Sequence, residues 1–252
     1  MHGYDPATYG DRFADVYDDW YPDPEGTDAA VDAIQRWTQP GDAVLELGVG
    51  TGRLAIPLAA GDRRVSGVDS SAAMIARRVA KPGGERVRAT VGDMGGDLPV
   101  GPFHLVFVAL NTFFGLPSAD AQSACFHAVA GRLHPGGRFV IEAFIPATEA
   151  MPDAATPTPA DRVEVRSMTV DAVVLSISRF VAGDQRAEGH HVELRHGMPV
   201  ILRPWSVRYS TPDQLDSMAE AAGLTLESRV GSWSGEPFSD ASTHHLSVYR
   251  RA

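Results

Sequence analysis

Short, almost wholly apolar runs alternate with amphipathic segments between residues 43 and 144. Apolar runs of this length are typical of parallel strands that are covered on both faces, and the segments between them have helical spacing. The pattern therefore predicts an α/β fold built on a mostly parallel sheet. The predicted strands are 43–47, 65–68, 86–91, 103–108 and 138–144, with helices to about residue 60, over 71–80 and over 118–133.

The pattern changes after residue 145, where prolines among small residues predict a surface loop over 146–162. Four β-rich runs with almost no helical periodicity follow, and they predict an antiparallel β insertion after strand five. Asp171 and Gly183-Asp184 are the predicted turn positions. The β-rich runs are 163–170, 172–181, 190–196 and 200–209, after which a helix over 211–222 and strands over 224–230 and 244–249 resume the α/β pattern.

The N-terminal region, residues 1–24, combines aromatic and acidic side chains, and its aromatic residues recur at helical spacing. Pro22 and Pro24 end that segment, and a helix is predicted over 27–38. One domain with three parts is therefore expected. These parts are a helical cap (residues 1–39), a ligand-binding core (40–145 and 211–252) and the β-rich insertion (146–210).

Composition limits the classes of function. The 252 residues include 22 basic and 32 acidic side chains, and a net charge of −10 disfavours a nucleic-acid partner. No apolar run approaches the ~18 residues that a membrane span requires, and the sequence shows no export signal, so a cytoplasmic protein without a membrane partner is expected. Cys125 is the only cysteine, which leaves no internal disulfide or cysteine-based zinc site.

A glycine-rich loop follows the first predicted strand. Gly48, Gly50 and Gly52 stand at alternate positions, where glycine permits a positive φ and lets a ligand approach the backbone. A dinucleotide fingerprint would need its third glycine at position 53, which is arginine here, and the loop has no Walker lysine. Both of these phosphate-binding interpretations are therefore weakened.

Two acids follow the next predicted strands. Asp69 lies 21 residues after Gly48, where a carboxylate can accept hydrogen bonds from both hydroxyls of a ribose. Asp93 follows the third strand and can accept a hydrogen bond from an adenine amine, while Met94 can pack on the ring. A glycine loop and two acids without a phosphate cradle favour an adenosyl ligand that lacks a pyrophosphate.

These motifs resemble those of the class I methyltransferases, which use S-adenosylmethionine (SAM). The resemblance implies a Rossmann-like sheet, mostly parallel with its last strand antiparallel, and SAM as the cofactor. It covers residues 40–144 and 211–250, and it rests on E-x-G-x-G-x-G at 46–52, Asp69, G-D-M at 92–94 and L-x-P-G-G at 133–137.

The N-terminal A-D-V-Y-D at 14–18, the N-T-F-F run at 111–114 and the β insertion resemble a narrower group. That group is the bacterial, actinobacterial-type small-molecule methyltransferases of natural-product pathways, including amino-sugar N,N-dimethyltransferases. The resemblance implies methyl transfer from SAM to a nitrogen or oxygen atom of a small acceptor.

The resemblance also implies a residue for each portion of SAM. The glycines would face the methionine portion, Glu46 would order their loop, the tyrosines would reach the carboxylate, and Leu110 would lie beside the sulfonium. The implied cofactor-binding residues are Tyr9, Tyr17, Tyr21, Glu46, Gly48, Gly50, Thr51, Gly52, Asp69, Ser70, Met74, Gly92, Asp93, Met94 and Leu110.

Residues for the acceptor step are expected at the ends of strands and in the insertion. His244 and His245 precede the last strand, near the carboxyl ends where ligands bind in open α/β sheets, whereas a solvated strand is expected for His190, His191 and His196. The catalytic candidates are His244, His245, Glu142 and Asn111, and the acceptor-binding candidates are Phe114, Phe180, Trp205, Tyr209 and Trp233.

Several functional alternatives stay open from the sequence. The fourth strand ends in A-L-N-T at 109–112, without the D/N-P-P-Y turn of enzymes that methylate base amines. The fifth ends in Glu142-Ala143-Phe144, without the Asp-Asn pair of magnesium-dependent enzymes, so no metal is expected. The acceptor, a non-methylating reaction such as a pericyclization, a non-catalytic SAM-binding role and a homodimer are left undecided.

Overall fold

The computed structural model describes residues 1–22, 24–146 and 160–252, and within them the strands form two separate sheets. The strands are β1 (Ala43–Leu47), β2 (Arg64–Asp69), β3 (Arg88–Val91), β4 (Phe103–Val108), β5 (Leu133–Phe144), β6 (Ala160–Met168), β7 (Ala172–Val181), β8 (Arg186–Arg195), β9 (Ile201–Arg208), β10 (Leu224–Val230) and β11 (His244–Arg251). The helices are α1 (Thr8–Phe13), α2 (Tyr17–Trp20), α3 (Pro24–Trp37), α4 (Ala55–Ala60), α5 (Ala72–Val79), α6 (Ala119–Ala130) and α7 (Pro212–Ala221).

The larger sheet has the order β10-β11-β5-β4-β1-β2-β3. Its strands are parallel except for β11, which pairs antiparallel with both β5 and β10. This confirms the predicted mixed α/β sheet with an antiparallel last strand. The fifth strand begins at Leu133 rather than Arg138, because the Pro-Gly-Gly turn forms an irregularity within the pairing of β4 and β5.

Alternate residues of the central strands supply two apolar layers. Val44 and Phe107 face α3 and α4, whereas Leu45 and Val106 face α6 and α7. Successive strand side chains point to opposite faces, so a run that is apolar throughout buries both sides of the sheet. Both layers contain fully buried aromatic or aliphatic side chains, and together they fix the ends of the strands in space.

The predicted insertion is present as a four-stranded antiparallel sheet, in the order β6-β7-β8-β9. The third strand begins at Arg186, four residues earlier than predicted, because its pairing with β7 extends through Ala187 and Gly189. Most of the predicted surface loop, residues 147–159, lies outside the described residues.

The aromatic N-terminal segment, whose spacing is helical, forms two short helices with a break at residues 14–16. α3 begins at Pro24 instead of residue 27, since proline fits the first turn of a helix. Phe13, Tyr17 and Trp20 belong to a small apolar cluster with Met74 of α5, so the cap packs on the core. Among the described residues, no helix is long and apolar enough to cross a membrane.

Candidate functional site

A cleft with a volume of about 360 Å³ opens at the carboxyl ends of β1 to β4. Three parts of the chain form it: tyrosines of the cap, loops of the core, and the β8 and β9 strands of the insertion. The lining residues include Tyr4, Tyr9, Gly10, Tyr17, Tyr21, Gly48, Gly50, Asp69, Ser70, Met74, Gly92, Asp93, Met94, Leu110, Asn111, Thr112, Pro117, His191, Trp205, Ser206 and Val207.

The glycine loop uses two of its glycines in different ways. Gly50 has φ +51° and lines the cleft, and a Cβ added there would meet only the Gly48 carbonyl oxygen at 3.9 Å. Gly52 points elsewhere, because an added Cβ would come within 2.7 Å of Arg78 and 3.0 Å of Ile56. Gly52 therefore does not line the cleft, contrary to expectation, and this glycine permits close packing of the loop on α4 and α5.

Asp69 connects the glycine loop to the end of β2. Its carboxylate accepts hydrogen bonds from the amides of Gly50 and Ser71, both at 2.8 Å. Burial raises the pKa of this carboxyl, while the two amides lower it. Each oxygen keeps a second acceptor position, so Asp69 can hold the loop and still bind hydroxyl groups in the cleft.

Glu46 lies behind the glycine loop rather than on the cleft wall. It is 5% exposed, and its Oε2 has no hydrogen-bond partner among the described residues. Burial raises its pKa to about 8, against the opposing effect of Arg53. A buried acceptor of this kind fits a ligand that brings a cationic group close to the loop.

The second acid of the pattern also faces the cleft. Asp93 accepts a hydrogen bond from the amide of Gly95 at 2.8 Å, and Gly92 and Met94 line the same wall. Ser70 and Met74 complete this side. Thr51 does not reach it, since its buried hydroxyl donates instead to Asp18 of the cap at 2.6 Å.

Four tyrosines cover the cleft from the cap. Tyr9, Tyr17 and Tyr21 were expected there, and Tyr4 is a further member that sequence reasoning missed. Burial raises the pKa of Tyr4 and of Tyr17 to about 12, so both phenols stay protonated at neutral pH and can donate hydrogen bonds.

The end of β4 carries two consecutive left-handed residues, Leu110 with φ 50° and Asn111 with φ 63°. The Glu142 carboxylate accepts from the Leu110 amide at 2.8 Å, and the Asn111 side chain accepts from the Phe144 amide at 2.6 Å. Leu110 and Asn111 line the cleft, whereas Glu142 does not. Glu142 therefore stabilises an unfavourable turn and is not placed as a catalytic group.

Of the five expected acceptor residues, Trp205 alone lines the cleft. Phe114 and Tyr209 are buried in the core, where both pack against Phe144. Phe180, on β7, lies beneath the guanidinium of Arg162. Trp233 packs against Trp37 on the α3 side of the larger sheet. These four expectations are wrong. For Phe180, alternation along β7 does not reveal which face meets the cleft, whereas Phe114, Tyr209 and Trp233 lie outside the strands, where alternation gives no guidance.

The two histidines before the last strand also lie outside the cleft. His245 is 1% exposed, and its Nδ1 lies 2.9 Å from the Ser247 hydroxyl. His244 is exposed and contacts Thr243. β11 lies beyond β5 in the sheet, so its first residues pair with Phe144 and Ala143 at the end of β5, away from the ends of β1 to β4 that form the cleft.

His191 is the functional candidate that the sequence missed, and the expected solvated position is wrong for it. It lies on the inner face of β8, lines the cleft, and has its ring 5.8 Å from Phe13 and 5.7 Å from Trp20. Burial, together with the charges of Arg166 and Arg203, lowers its pKa to about 4, so the imidazole is neutral at pH 7. The sequence did hold one indication of this position. His191 and Glu193 stand two residues apart, so they lie on the same face of β8.

Comparisons with known proteins place this cleft in a family. A methyltransferase-domain model matches residues 44–137, which hold the glycine loop and both acids. The solved structure of the CcbJ methyltransferase from Streptomyces caelestis has 36% sequence identity and a TM-score of 0.88, covering 99% of this chain and 100% of that one. The cypemycin N-terminal methyltransferase of a Streptomyces species is 29% identical over 84% of each protein.

More distant structures share the fold. The sugar N-methyltransferase KedS8 from a Streptoalloteichus species has 21% identity and a TM-score of 0.68, covering 100% of this chain and 99% of that one. With the fold, the glycine loop and the comparisons in place, the chain belongs to the class I SAM-dependent methyltransferases, and SAM is its methyl donor.

We expect Gly50→Val to reduce the affinity for S-adenosylhomocysteine (SAH) at least about 100-fold, because the side chain would occupy the cleft. Isothermal titration calorimetry measures this. Gly197→Val is the matched control, since Gly197 also has a positive φ (+70°) with open space around it, and lies in the insertion away from the cleft. Tight SAH binding by Gly50→Val would contradict the assignment of the loop.

Stability should also depend on pH through two buried histidines. Burial lowers the pKa of His245, as of His191, to about 4. Between roughly pH 6.5 and 4 the unfolded chain binds protons that the folded chain does not, so the free energy of unfolding falls as the pH is lowered through this window. Each histidine contributes a slope of at most ~1.4 kcal/mol per pH unit.

Urea unfolding at several pH values tests this slope. His245→Gln removes one titrating group and should flatten the dependence, whereas the same change at the exposed His2 should leave it as it is. An equal slope for His245→Gln and the unaltered protein would show that His245 does not titrate in this way.

Proposed function

We propose that the protein transfers the methyl group of SAM to a nitrogen atom of a small, non-anionic molecule, with oxygen as the second candidate. One observation carries this proposal: the glycine loop and its acids share a single cleft with side chains of the insertion, namely His191, Trp205 and Val207. Such a cleft can hold donor and acceptor in line, which is the geometry that displacement at a sulfonium methyl group needs.

The proposed contacts to the cofactor follow the positions of the side chains. Asp69 holds the ribose hydroxyls, Asp93 and Met94 hold the adenine, and Gly48 and Gly50 lie against the methionine portion. The protonated tyrosines of the cap donate to the SAM carboxylate and exclude water. When bound, SAM supplies the electrophilic methyl group, and Leu110 and Asn111 shape the wall beside it.

The charge of the cleft supports a non-anionic acceptor. Among the described residues that line it there is no lysine or arginine, and the sequence of 147–159 contains neither. Recognition of phosphates relies on such cations. We therefore infer that nucleic acids and other phosphorylated molecules are poor acceptors, in agreement with the net charge of −10.

Two features favour nitrogen over oxygen. The cypemycin enzyme is named an N-terminal methyltransferase, and KedS8 is named a sugar N-methyltransferase. In addition, His191 is a neutral imidazole and a weak base. An amine that arrives unprotonated needs no strong base, whereas a hydroxyl group benefits from one. His191 and Trp205 are proposed as the acceptor wall, with the cap and core holding SAM.

The experiment is incubation with SAM and a panel of neutral and cationic amines, hydroxyl compounds and their phosphorylated counterparts. A product heavier by one or two methyl groups is expected from an unphosphorylated amine. Asp69→Ala should weaken SAH binding by ~1.5–3 kcal/mol through loss of charge-assisted contacts, whereas Asp32→Ala on the exposed side of α3 should not. Methylation of phosphorylated compounds alone, or unchanged SAH affinity in Asp69→Ala, would contradict the proposal.

A homodimer through the insertion is proposed in addition. The outer face of its sheet carries a cross-strand row of apolar residues, Val165, Leu175, Val192 and Leu202, of which Val165 and Leu202 are 60% and 51% exposed. Continuous exposed apolar patches of this kind mark contact surfaces.

Sedimentation velocity tests the dimer. Val165→Lys should shift the protein toward the monomer, because a desolvated charge would oppose association. Val100→Lys, at a position that is 90% exposed in a loop before β4, is the control. A monomer at all concentrations for the unaltered protein would rule the dimer out.

A further inference from the structure

The insertion buries one arginine where it meets the cap. Arg203 lies on the inner face of β9 and is only 3% exposed. Its Nη1 and Nη2 donate to the two carboxylate oxygens of Asp15 at 2.6 and 2.9 Å, and it also donates to the Arg12 carbonyl. Its guanidinium lies 5.4 Å from the centroid of the Trp20 ring. All these contacts lie in the segment that contains α1 and α2.

A buried cation needs partners, and the insertion itself supplies one. Glu193, which is almost fully buried on the neighbouring strand, lies 3.3 Å from Arg203 and also pairs with Arg195. Asp15 is different, because its side chain is 60% exposed and belongs to the break between α1 and α2. Arg203 thus remains paired within the insertion even without Asp15, while the cap depends on Arg203 for this attachment.

The same segment of the cap is attached to the core on its other side. The Ser71 hydroxyl donates to Asp11 at 2.6 Å, and Asp18 accepts from Thr51 at 2.6 Å and from Lys81 at 2.8 Å. The cap therefore spans the distance between the loops proposed to hold SAM and the strands proposed to face the acceptor.

The acceptor wall depends on this attachment. His191 packs edge-on against Phe13 and Trp20, which flank Asp15 in sequence. Tyr9 and Tyr17, on the cofactor side of the same segment, stand next to these aromatic residues. A displacement of the cap would therefore uncover the cofactor and remove the support of His191 together.

We propose that Arg203 is a positioning residue, which fixes Asp15 so that the cap covers the cofactor and supports His191 in the acceptor wall. Binding of the cofactor beneath the tyrosines then orders the acceptor wall, so the two sites are coupled. The proposal rests on the cofactor and acceptor assignments of the proposed function.

The test uses SAH as the probe and Asp15→Asn as the main variant, because Asp15 is exposed and its change leaves the buried pair of Arg203 and Glu193 intact. Calorimetry should show an affinity for SAH about three- to tenfold lower, and Asp15→Glu should restore most of the loss. Asp161→Asn is the matched control, since Asp161 forms the same two-bond pair with Arg179 at 2.8 and 3.1 Å on the exposed part of the insertion.

Hydrogen–deuterium exchange separates coupling from a merely structural role. In the unaltered protein, SAH should increase protection at residues 48–52, at 8–21 and at 187–193. In Asp15→Asn, the increase at 48–52 should persist while the increase at 187–193 is lost. Arg203→Lys, which keeps the charge but not the two-bond geometry, should behave in the same direction.

The outcomes are distinct. Failure of the unaltered protein to bind SAH would overturn the proposed cofactor site. Normal SAH binding by Asp15→Asn with unchanged protection at 187–193 would overturn the role of Arg203 alone. A loss in Asp15→Asn that Asp15→Glu does not restore, or an equal loss in Asp161→Asn, would also overturn it.

Discussion

The site depends on one pair of hydrogen bonds, from the amides of Gly50 and Ser71 to the carboxylate of Asp69. These bonds join the turn after β1 to the turn after β2, so two loops that could move separately hold one shape. The arrangement works because Gly50 adopts a positive φ that turns its amide toward the acid. A ligand that binds Asp69 therefore meets an acceptor whose direction is already fixed by the backbone.

The second constraint is that the core alone does not enclose the cleft. The core supplies the floor through its loops, and the remaining sides come from the cap and from the inner face of β8 and β9. The cap touches both, through Ser71 and Thr51 on one side and through Arg203 on the other. Residues that appear unrelated along the sequence thus form one enclosure. Its aromatic side chains, and the lack of a lysine or arginine among its described lining residues, decide what can enter.

The fold was largely predictable from the sequence, and the site was predictable in part. Apolar runs of four to seven residues identified most of the parallel strands, since burial on both faces favours strands that are apolar throughout. The glycine loop, Asp69 and Asp93 were found because their backbone positions are tied to the ends of those strands. Side chains such as Phe180 and His191 were misplaced, because two-residue alternation divides a strand into two faces without showing which of them meets a ligand. His245 was misplaced for another reason, since β11 lies beyond β5 in the sheet, away from the ends of β1 to β4 that form the cleft.

The separation in sequence between Asp15 and Arg203, 188 positions, has a consequence for how the chain assembles. The ribosome makes the cap before the core, and the arginine that receives Asp15 emerges only after strands β1 to β5 and most of the insertion. Contacts between such distant segments form late, because closing a long loop costs entropy before any contact is gained. The nascent protein therefore carries an amphipathic aromatic segment without Arg203 as its partner until most of the insertion has been made.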